Sequence, residues 1–351
     1  MKFTASTKPF LEALQSAAAI AKANSPKEIL KCVMIDAGSM ISVAATDSEI
    51  ALKTSVTDCS VDGPGRMLIH PQRLVSILRE ADTDTIDISE KDGTATCKAG
   101  RSRFTLQCMN AEDFPAFAPV KGEPVTVDGQ SLSSALERTT LAADEKSTRY
   151  ALGGVLFDGN DVVALDGRRL SVSTMQCSFT GRSVVPLKAC KAISQFTGDV
   201  SLTFDARQVY ATCGDTQLTS LLVEGAFPQH RQVIPKSGDF SVSFVAGPLL
   251  KACRQAMIVM NEESRGCQFA FSQGVLRLSA TGNEVGTSDV ELPIDCDRGM
   301  TLKIDPRFLA DWLKTFDAAA LVEMDIGGSA KPVVLKCASH TYVVMPMVMD
   351  Q

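Results

Sequence analysis

The chain says nearly the same thing three times, and that repeat limits its fold more than any single motif. Each third opens with an alternating stretch, a turn and an amphipathic run. These are Lys2-Phe3-Thr4 before Pro9-Phe10-Leu11-Glu12-Ala13-Leu14, Val125-Thr126-Val127 before Leu132-Ser133-Ser134-Ala135-Leu136, and Phe240-Ser241-Val242-Ser243-Phe244 before Leu249-Leu250-Lys251-Ala252-Cys253. A second pattern sits near the middle of each third: Met67-Leu68-Ile69 before Leu74-Val75-Ser76-Ile77-Leu78, Val184-Val185 before Leu187-Lys188-Ala189-Cys190, and Leu302-Lys303-Ile304 before Phe308-Leu309-Ala310-Asp311-Trp312. From Arg73 to Lys191, and again from Lys191 to Leu309, the interval is 118 residues. A period of that length is a duplicated domain rather than a solenoid repeat.

Helical spacing of apolar residues predicts six helices, in windows 8–22, 71–80, 131–142, 187–196, 248–260 and 306–316. Pro9, Pro71, Pro248 and Pro306 fall at or near a first turn, where a missing N–H costs nothing. The stretches between alternate, as in Thr85-Ile86-Asp87-Ile88 and Val275-Leu276-Arg277-Leu278, and turn at Asp92-Gly93 and Gln273-Gly274. Each third then reads as two helices packed on antiparallel β-sheets, an α+β domain. Polar, turn-rich segments at Lys121-Gly122-Glu123-Pro124 and Pro235-Lys236-Ser237-Gly238 place the domains at 1–121, 122–237 and 238–351.

A chain of 351 residues is too long for one core. No stretch approaches the roughly 18 apolar residues of a membrane span, and Lys8 and Glu12 interrupt the first apolar run. The expected setting is cytoplasmic, without a leader. The 11 cysteines form no CxxC pair and are odd in number, which suits small buried hydrophobes in a reducing compartment. No zinc spacing is present, and no metal or cofactor is expected.

Net charge is −6, yet the helix windows hold the basic residues Lys8, Lys22, Arg73, Arg79, Arg138, Lys188, Lys191, Lys251, Arg254, Arg307 and Lys314 against only Glu12, Glu80, Glu137 and Asp311. The helices therefore carry +7 and the rest of the chain −13. Helices of this sign in an acidic protein can hold a polyanion on one face and repel it elsewhere, although solvated helix faces also favour Lys and Arg. With no aromatic platform and no base-reading motif, any nucleic-acid contact falls on phosphates and is blind to sequence.

Catalysis finds no foothold. His70, His230 and His340 each stand alone, and GxSxG, Walker, GxGxxG and HExxH motifs are absent. Asp166-Gly167-Arg168-Arg169 could bind phosphate, and an Asp-Gly turn explains it equally well.

Two segments point to a family. Thr148-Arg149-Tyr150-Ala151-Leu152-Gly153-Gly154-Val155-Leu156-Phe157, followed by Val163-Ala164-Leu165-Asp166-Gly167-Arg168-Arg169-Leu170, resembles the middle domain of the bacterial DNA polymerase III β subunit family, the sliding clamps. Tyr342-Val343-Val344-Met345-Pro346-Met347 is similar to that family's last strand. Supporting matches are Met1-Lys2-Phe3-Thr4, Gly100-Arg101-Ser102-Arg103-Phe104, Asp113-Phe114-Pro115, Glu224-Gly225-Ala226-Phe227-Pro228, and Asn261-Glu262 with Arg265-Gly266, so the resemblance runs the length of the chain.

The resemblance implies three DNA-clamp domains per chain, closed into a ring as a homodimer. Helices line the hole, and the ring slides on duplex DNA as a processivity factor with no catalysis of its own. It implies that the helix cations named above, with Tyr150, face DNA. It implies that the replicative polymerase and an ATP-driven clamp loader dock short apolar peptides in a cleft made by Arg149, Leu152, Leu165, Gly167, Arg168, Arg169, Leu170, Pro228, Val233, Phe308, Val333, Val343, Val344, Met345, Pro346 and Met347. The ring joint would bring Arg101, Arg103, Phe104 and Leu106 against Ile258, Val259 and acids on the opposing edge. The chain departs from the family at Asn24-Ser25-Pro26-Lys27-Glu28, at Ala151 and at Val348, where a base is usual, so a less basic cleft rim is expected. The alternatives are a repeat-domain scaffold that encircles nothing and an enzyme whose site the motifs do not reveal.

Overall fold

A computed structural model describes residues 1–117, 119–120, 122–147, 151–236, 238–261 and 265–348. Its six α-helices are α1 (Thr7–Ile20), α2 (Pro71–Arg79), α3 (Gly129–Thr140), α4 (Leu187–Ile193), α5 (Ala246–Ala256) and α6 (Pro306–Leu313), each inside or within two residues of an expected window. The window 248–260 overshoots because Met257–Val259 tightens into a 3-10 turn. Pro71 and Pro306 open their helices, and the Asp305 carboxylate caps α6 by accepting from Arg307 N–H at 3.1 Å. None of these helices is long and apolar enough to cross a membrane.

The strands form four antiparallel sheets, divided between two compact units. Residues 1–128 and 196–222 make one unit. It holds a five-stranded sheet (Cys59–Gly63, Lys2–Ser6, Thr85–Lys91, Thr94–Ala99, Ser102–Gln107) and an eight-stranded one (Val125–Asp128, Asp199–Phe204, Gln208–Cys213, Thr216–Leu221, Ile50–Val56, Ile41–Thr46, Val33–Ala37, Gly65–Ile69). Residues 129–195 and 223–351 make the other. It holds a six-stranded sheet (Gly154–Leu165, Arg169–Pro186, His340–Val344, Val333–Cys337, Leu321–Ile326, Phe240–Val245) and a four-stranded one (Gly286–Pro293, Val275–Gly282, Cys267–Ser272, Met300–Ile304). The middle repeat is thus shared: its short strands extend the first repeat's sheet, while its long strands and helices build with the third.

The duplication reaches individual bonds. Asp36 pairs with Arg66 at 2.9 Å, and the residues at matching ladder positions, Asp158 and Arg182, pair at 3.1 Å. The hairpin at Asp47 is closed by its carboxylate accepting from Glu49 and Ile50 N–H, and that at Asp166 by the same bonds from Arg168 and Arg169 N–H. Both turns need left-handed backbone, at Ser48 (φ 83°) and Gly167 (φ 82°), which glycine supplies without strain.

Strand alternation places one apolar face of each sheet against helices. In the second unit the core centres on Trp312, stacked on Tyr342 at 5.3 Å and on His340 at 5.9 Å. The His340 ring is held between the Ser171 and Ser173 hydroxyls, and burial, then the nearby Arg138 charge, push its pKa down to about 3. The folded state therefore refuses a proton that the unfolded chain accepts below its ordinary value of 6.5. Stability from this group is present above 6.5 and is lost by about 1.4 kcal/mol per pH unit as pH falls toward 3. Urea titrations at pH 7 and pH 5 should show a lower midpoint at pH 5 and a smaller drop in His340→Gln; an equal drop would remove His340 as its source.

Candidate peptide cleft and nucleic-acid interface

The Asp166 turn builds the candidate cleft. It fixes the register in which Leu165 faces Leu170, Leu170 faces Val343 and Val343 faces Val334, an apolar row across four strand segments on the sheet face away from α3. Leu152, Leu156, Val163, Val184 and Phe227 pack with that row, and Val223 and Ile234 border it. Pro228 is half-buried and Val233 is 47 % exposed. The covering segment is tied down by Arg231, whose guanidinium donates to Asp161 at 2.8 Å. Nearby His230 is buried, which lowers its pKa.

Two expected members lie elsewhere. Val333 and Val344 pair with each other on the opposite sheet face and belong to the Trp312 core, so they do not line the cleft. The residue that faces Val343 instead is Val334, next to Val333. A slip of one residue exchanges the faces of a strand, and only the partner register reveals which parity points which way. Phe227, Leu156, Val163, Val184, Val223 and Ile234 also pack there without having been expected; the Phe227-Pro228 step was a signal that could have found the first. Arg149 lies outside the described residues.

The chain then runs over the rim. Met345 N–H donates to Arg168 O at 2.8 Å and Met347 N–H to Lys303 O at 2.7 Å, which hold Met345 and Met347 40 % and 36 % exposed around Pro346. These three, with Arg168 and Phe308, border a cavity of about 1060 Å³. The Arg169 guanidinium lies 4.5 Å over the Phe308 ring and donates to Asp166 at 2.9 Å, so it stiffens the floor. Val348 is 89 % exposed, and Arg168, Arg265 and Lys303 line the same cavity.

The same joint in the eight-stranded sheet carries no such cleft. By matching hydrogen-bonded pairs, the positions of Leu165, Leu170, Val343 and Val334 are taken there by Thr46, Ala51, Thr219 and Tyr210. The Tyr210 hydroxyl is occupied with Asp205 and Gln208. The backbone is duplicated and the apolar row is not.

Of the helix cations, Lys8, Lys22, Arg73, Arg79, Lys191, Lys251 and Arg254 are exposed, and Lys188 is half-buried. Lys314 is exposed but paired to Asp311 at 2.8 Å. Two others are structural. Arg138 is half-buried, its guanidinium 4.4 Å over Phe316 and its Nε sealed from solvent without a hydrogen-bond partner. Arg307 grips the capping Asp305 through Nε and Nη2 at 2.9 and 2.7 Å. Nothing local in the sequence forecasts the Phe316 stack. Tyr150 lies outside the described residues.

Ser102–Gln107 and Gly286–Pro293 are edge strands of their sheets. Arg101 and Arg103 are exposed, Phe104 is 40 % exposed, and Leu106 is half-buried beside α2 residues around a hollow of about 590 Å³. Ile258 projects 76 % exposed near the second edge, whereas Val259 turns in and packs against its core. The edge acids Asp289 and Glu291 already share Arg277, a pairing the sequence did not suggest. Among the described residues no cluster of His, Cys, Asp and Glu is placed to hold a metal ion.

Comparison with known proteins agrees along the whole length. Residues 1–118, 126–229 and 231–348 match the N-terminal, central and C-terminal domain models of the DNA polymerase III beta subunit. Beta sliding clamps of Pseudomonas putida and Chlamydia muridarum are each 29 % identical over 99 % of this chain and 100 % and 99 % of theirs. The crystal structure of the DNA polymerase III subunit beta from Pseudomonas aeruginosa superposes with a TM-score of 0.90 at 26 % identity, covering 99 % of this chain and 100 % of that one. With three clamp domains in order and a matching fold, the chain belongs to the DNA polymerase III beta subunit family, the beta sliding clamps.

Proposed function

We propose that two copies of this chain join head to tail into a ring that encircles duplex DNA and tethers a replicative polymerase to it. As a sliding clamp the protein is a non-catalytic processivity factor whose partners are DNA, polymerase and a second copy of itself. The observation that carries the encircling mechanism is the sorting of charge: exposed Lys and Arg on the helices of a chain with net charge −6. A basic lining screened within about 8 Å holds the phosphate backbone loosely, and topological linkage, not affinity, prevents escape. The same feature speaks against a scaffold that encircles nothing. Protein loaded on nicked circular DNA should stay bound and should run off within seconds once the circle is cut; equal loss from both forms would overturn encirclement.

The finer assignments follow the same reading. The domains divide at 1–121, 122–237 and 238–351. Polymerase and an ATP-driven loader each insert a short apolar peptide over Leu165, Leu170, Val343 and Val334, between Val233 and Met345, where flexible methionines suit several related sequences. The protein works in the cytoplasm, on the nucleoid. The edge Ser102–Gln107 of one protomer pairs with Gly286–Pro293 of its partner, which satisfies both bare ladders.

Ile258 then fills the partner's hollow beside Phe104 and Leu106. Burying such a side chain contributes about 1.5–3 kcal/mol, and a carboxylate there adds a desolvation cost. Ile258→Asp should raise the dimer dissociation constant at least about a hundredfold at two symmetric joints. Sedimentation at micromolar concentration reads this directly, and an unchanged dimer would remove Ile258 from the joint.

A further inference from the structure

The charges on the two edge strands of the proposed joint are unequally satisfied. On Ser102–Gln107, parity turns Phe104 and Leu106 to the side of buried Cys97 and Ala95, which leaves Arg103 on the outer face directly opposite Lys98. Lys98, Arg101 and Arg103 are exposed, and none of them has an ion-pair partner among the described residues. The acid nearest in register is Asp87, opposite Lys98, and its carboxylate accepts from the Thr4 hydroxyl at 2.6 Å. Like charges held directly opposite each other across a ladder cost stability unless an anion covers them.

On Gly286–Pro293 the outer face carries the opposite sign, Asp289 and Glu291, while Val290 and Leu292 turn to the core. Both carboxylates are drawn inward by one residue of the next strand. Arg277 lies directly opposite Glu291 and donates to it through Nη2, and its Nε lies 3.5 Å from Asp289 Oδ1. The Ser279 hydroxyl adds a donation to Asp289 at 3.3 Å. All three charged side chains are more than half exposed, so they form a surface cluster and no part of the core. In the joint, the register that brings Phe104 and Leu106 to the apolar side brings Lys98 and Arg103 to the same side as Asp289 and Glu291. Complementary charges there add to association. A guanidinium within one protomer and the cations of its partner then compete for the same two carboxylates.

We propose that Arg277 restrains ring closure: it retains within one protomer the Asp289 and Glu291 carboxylates that Lys98 and Arg103 of the partner subunit would otherwise bind, and so keeps the dimer weaker than its edge charges allow. The inference rests on the joint reading above. Arg277→Gln removes the competitor, and its only ion-pair partners are the two exposed acids. In sedimentation of the full-length protein at low salt, this variant should lower the dimer dissociation constant about threefold to tenfold, as expected for one partly exposed ion pair regained at each of two joints. The gain should vanish at about 0.5 M salt. It should vanish as well in a Lys98→Gln/Arg101→Gln/Arg103→Gln background, where the released carboxylates meet no cation; a merely structural effect of position 277 would persist there. An unchanged or raised dissociation constant in Arg277→Gln would overturn the proposal, and so would a gain of equal size in the background that lacks the three cations. A dimer that ignores Ile258→Asp would instead overturn the joint reading, and this one with it.

Discussion

Replacing Lys188, Lys191, Lys251 and Arg254 together by Glu is expected to abolish clamp-dependent processive synthesis while leaving peptide binding intact. These four sit on α4 and α5, three of them exposed and Lys188 half-buried, and reversal replaces four attractions for phosphate with four repulsions. The logarithm of affinity for duplex scales with the logarithm of salt by about 0.9 per neutralised phosphate, so losing even three or four such contacts removes at least about a hundredfold near physiological ionic strength. Primer extension on a singly primed circle, with loader present, should fall back to the short products of polymerase alone. A fluorescent anchor peptide should bind as before, since none of the four touches the Leu165–Val334 row. Retained processivity would mean that the helices do not face DNA. Arg138→Glu and Arg307→Glu make poor additions, because their guanidinium groups hold Phe316 and Asp305 and their loss would confound folding with function.

The second large effect is expected at the rim. Met345→Ala with Met347→Ala shortens two side chains that are 40 % and 36 % exposed in the free chain and would be covered by a docked peptide. Full burial of such a side chain is worth about 1.5–3 kcal/mol, and the part still exposed before binding is roughly a third to a half of that. The pair should therefore weaken partner peptides by about fivefold to a hundredfold. Their backbone bonds to Arg168 and Lys303 survive the substitution, so the strand stays in place and the dimer should sediment unchanged. Unaltered peptide affinity would sink the cleft. Val333→Ala offers a contrast: it hollows the Trp312 core on the other face and should cost stability with little direct effect on the peptide.

Much of this was legible in the residues. Apolar spacing and the four early prolines located all six helices, because helix periodicity and first-turn chemistry are local properties. The charge excess of the helix windows survived into exposed side chains at Lys8, Arg73, Lys191 and Arg254 for the same reason. What failed was what depends on another strand or helix. Val333 and Val334 are chemically alike, and only the pairing with Val343 and Val344 assigns one to the Leu165–Leu170 face and one to the Trp312 core. Arg138 reads as a surface cation until Phe316, distant in sequence, arrives beneath it.

The sharing of the middle repeat between two sheets has a consequence for how such a chain can be divided. Its rungs from Thr216 to Ser220 are bonded to Ile50–Thr54, and its rungs from Arg169 to Ser173 to His340–Val344. A fragment cut at the boundaries of the repeat would carry two bare ladders, one on each side, both flanked by apolar residues. The unit that was copied is therefore not a unit that can be severed. Grafts and truncations should respect the breaks at Asp128/Gly129, Gln195/Phe196 and Leu222/Val223, which cross the repeat, instead of those the repetition itself suggests.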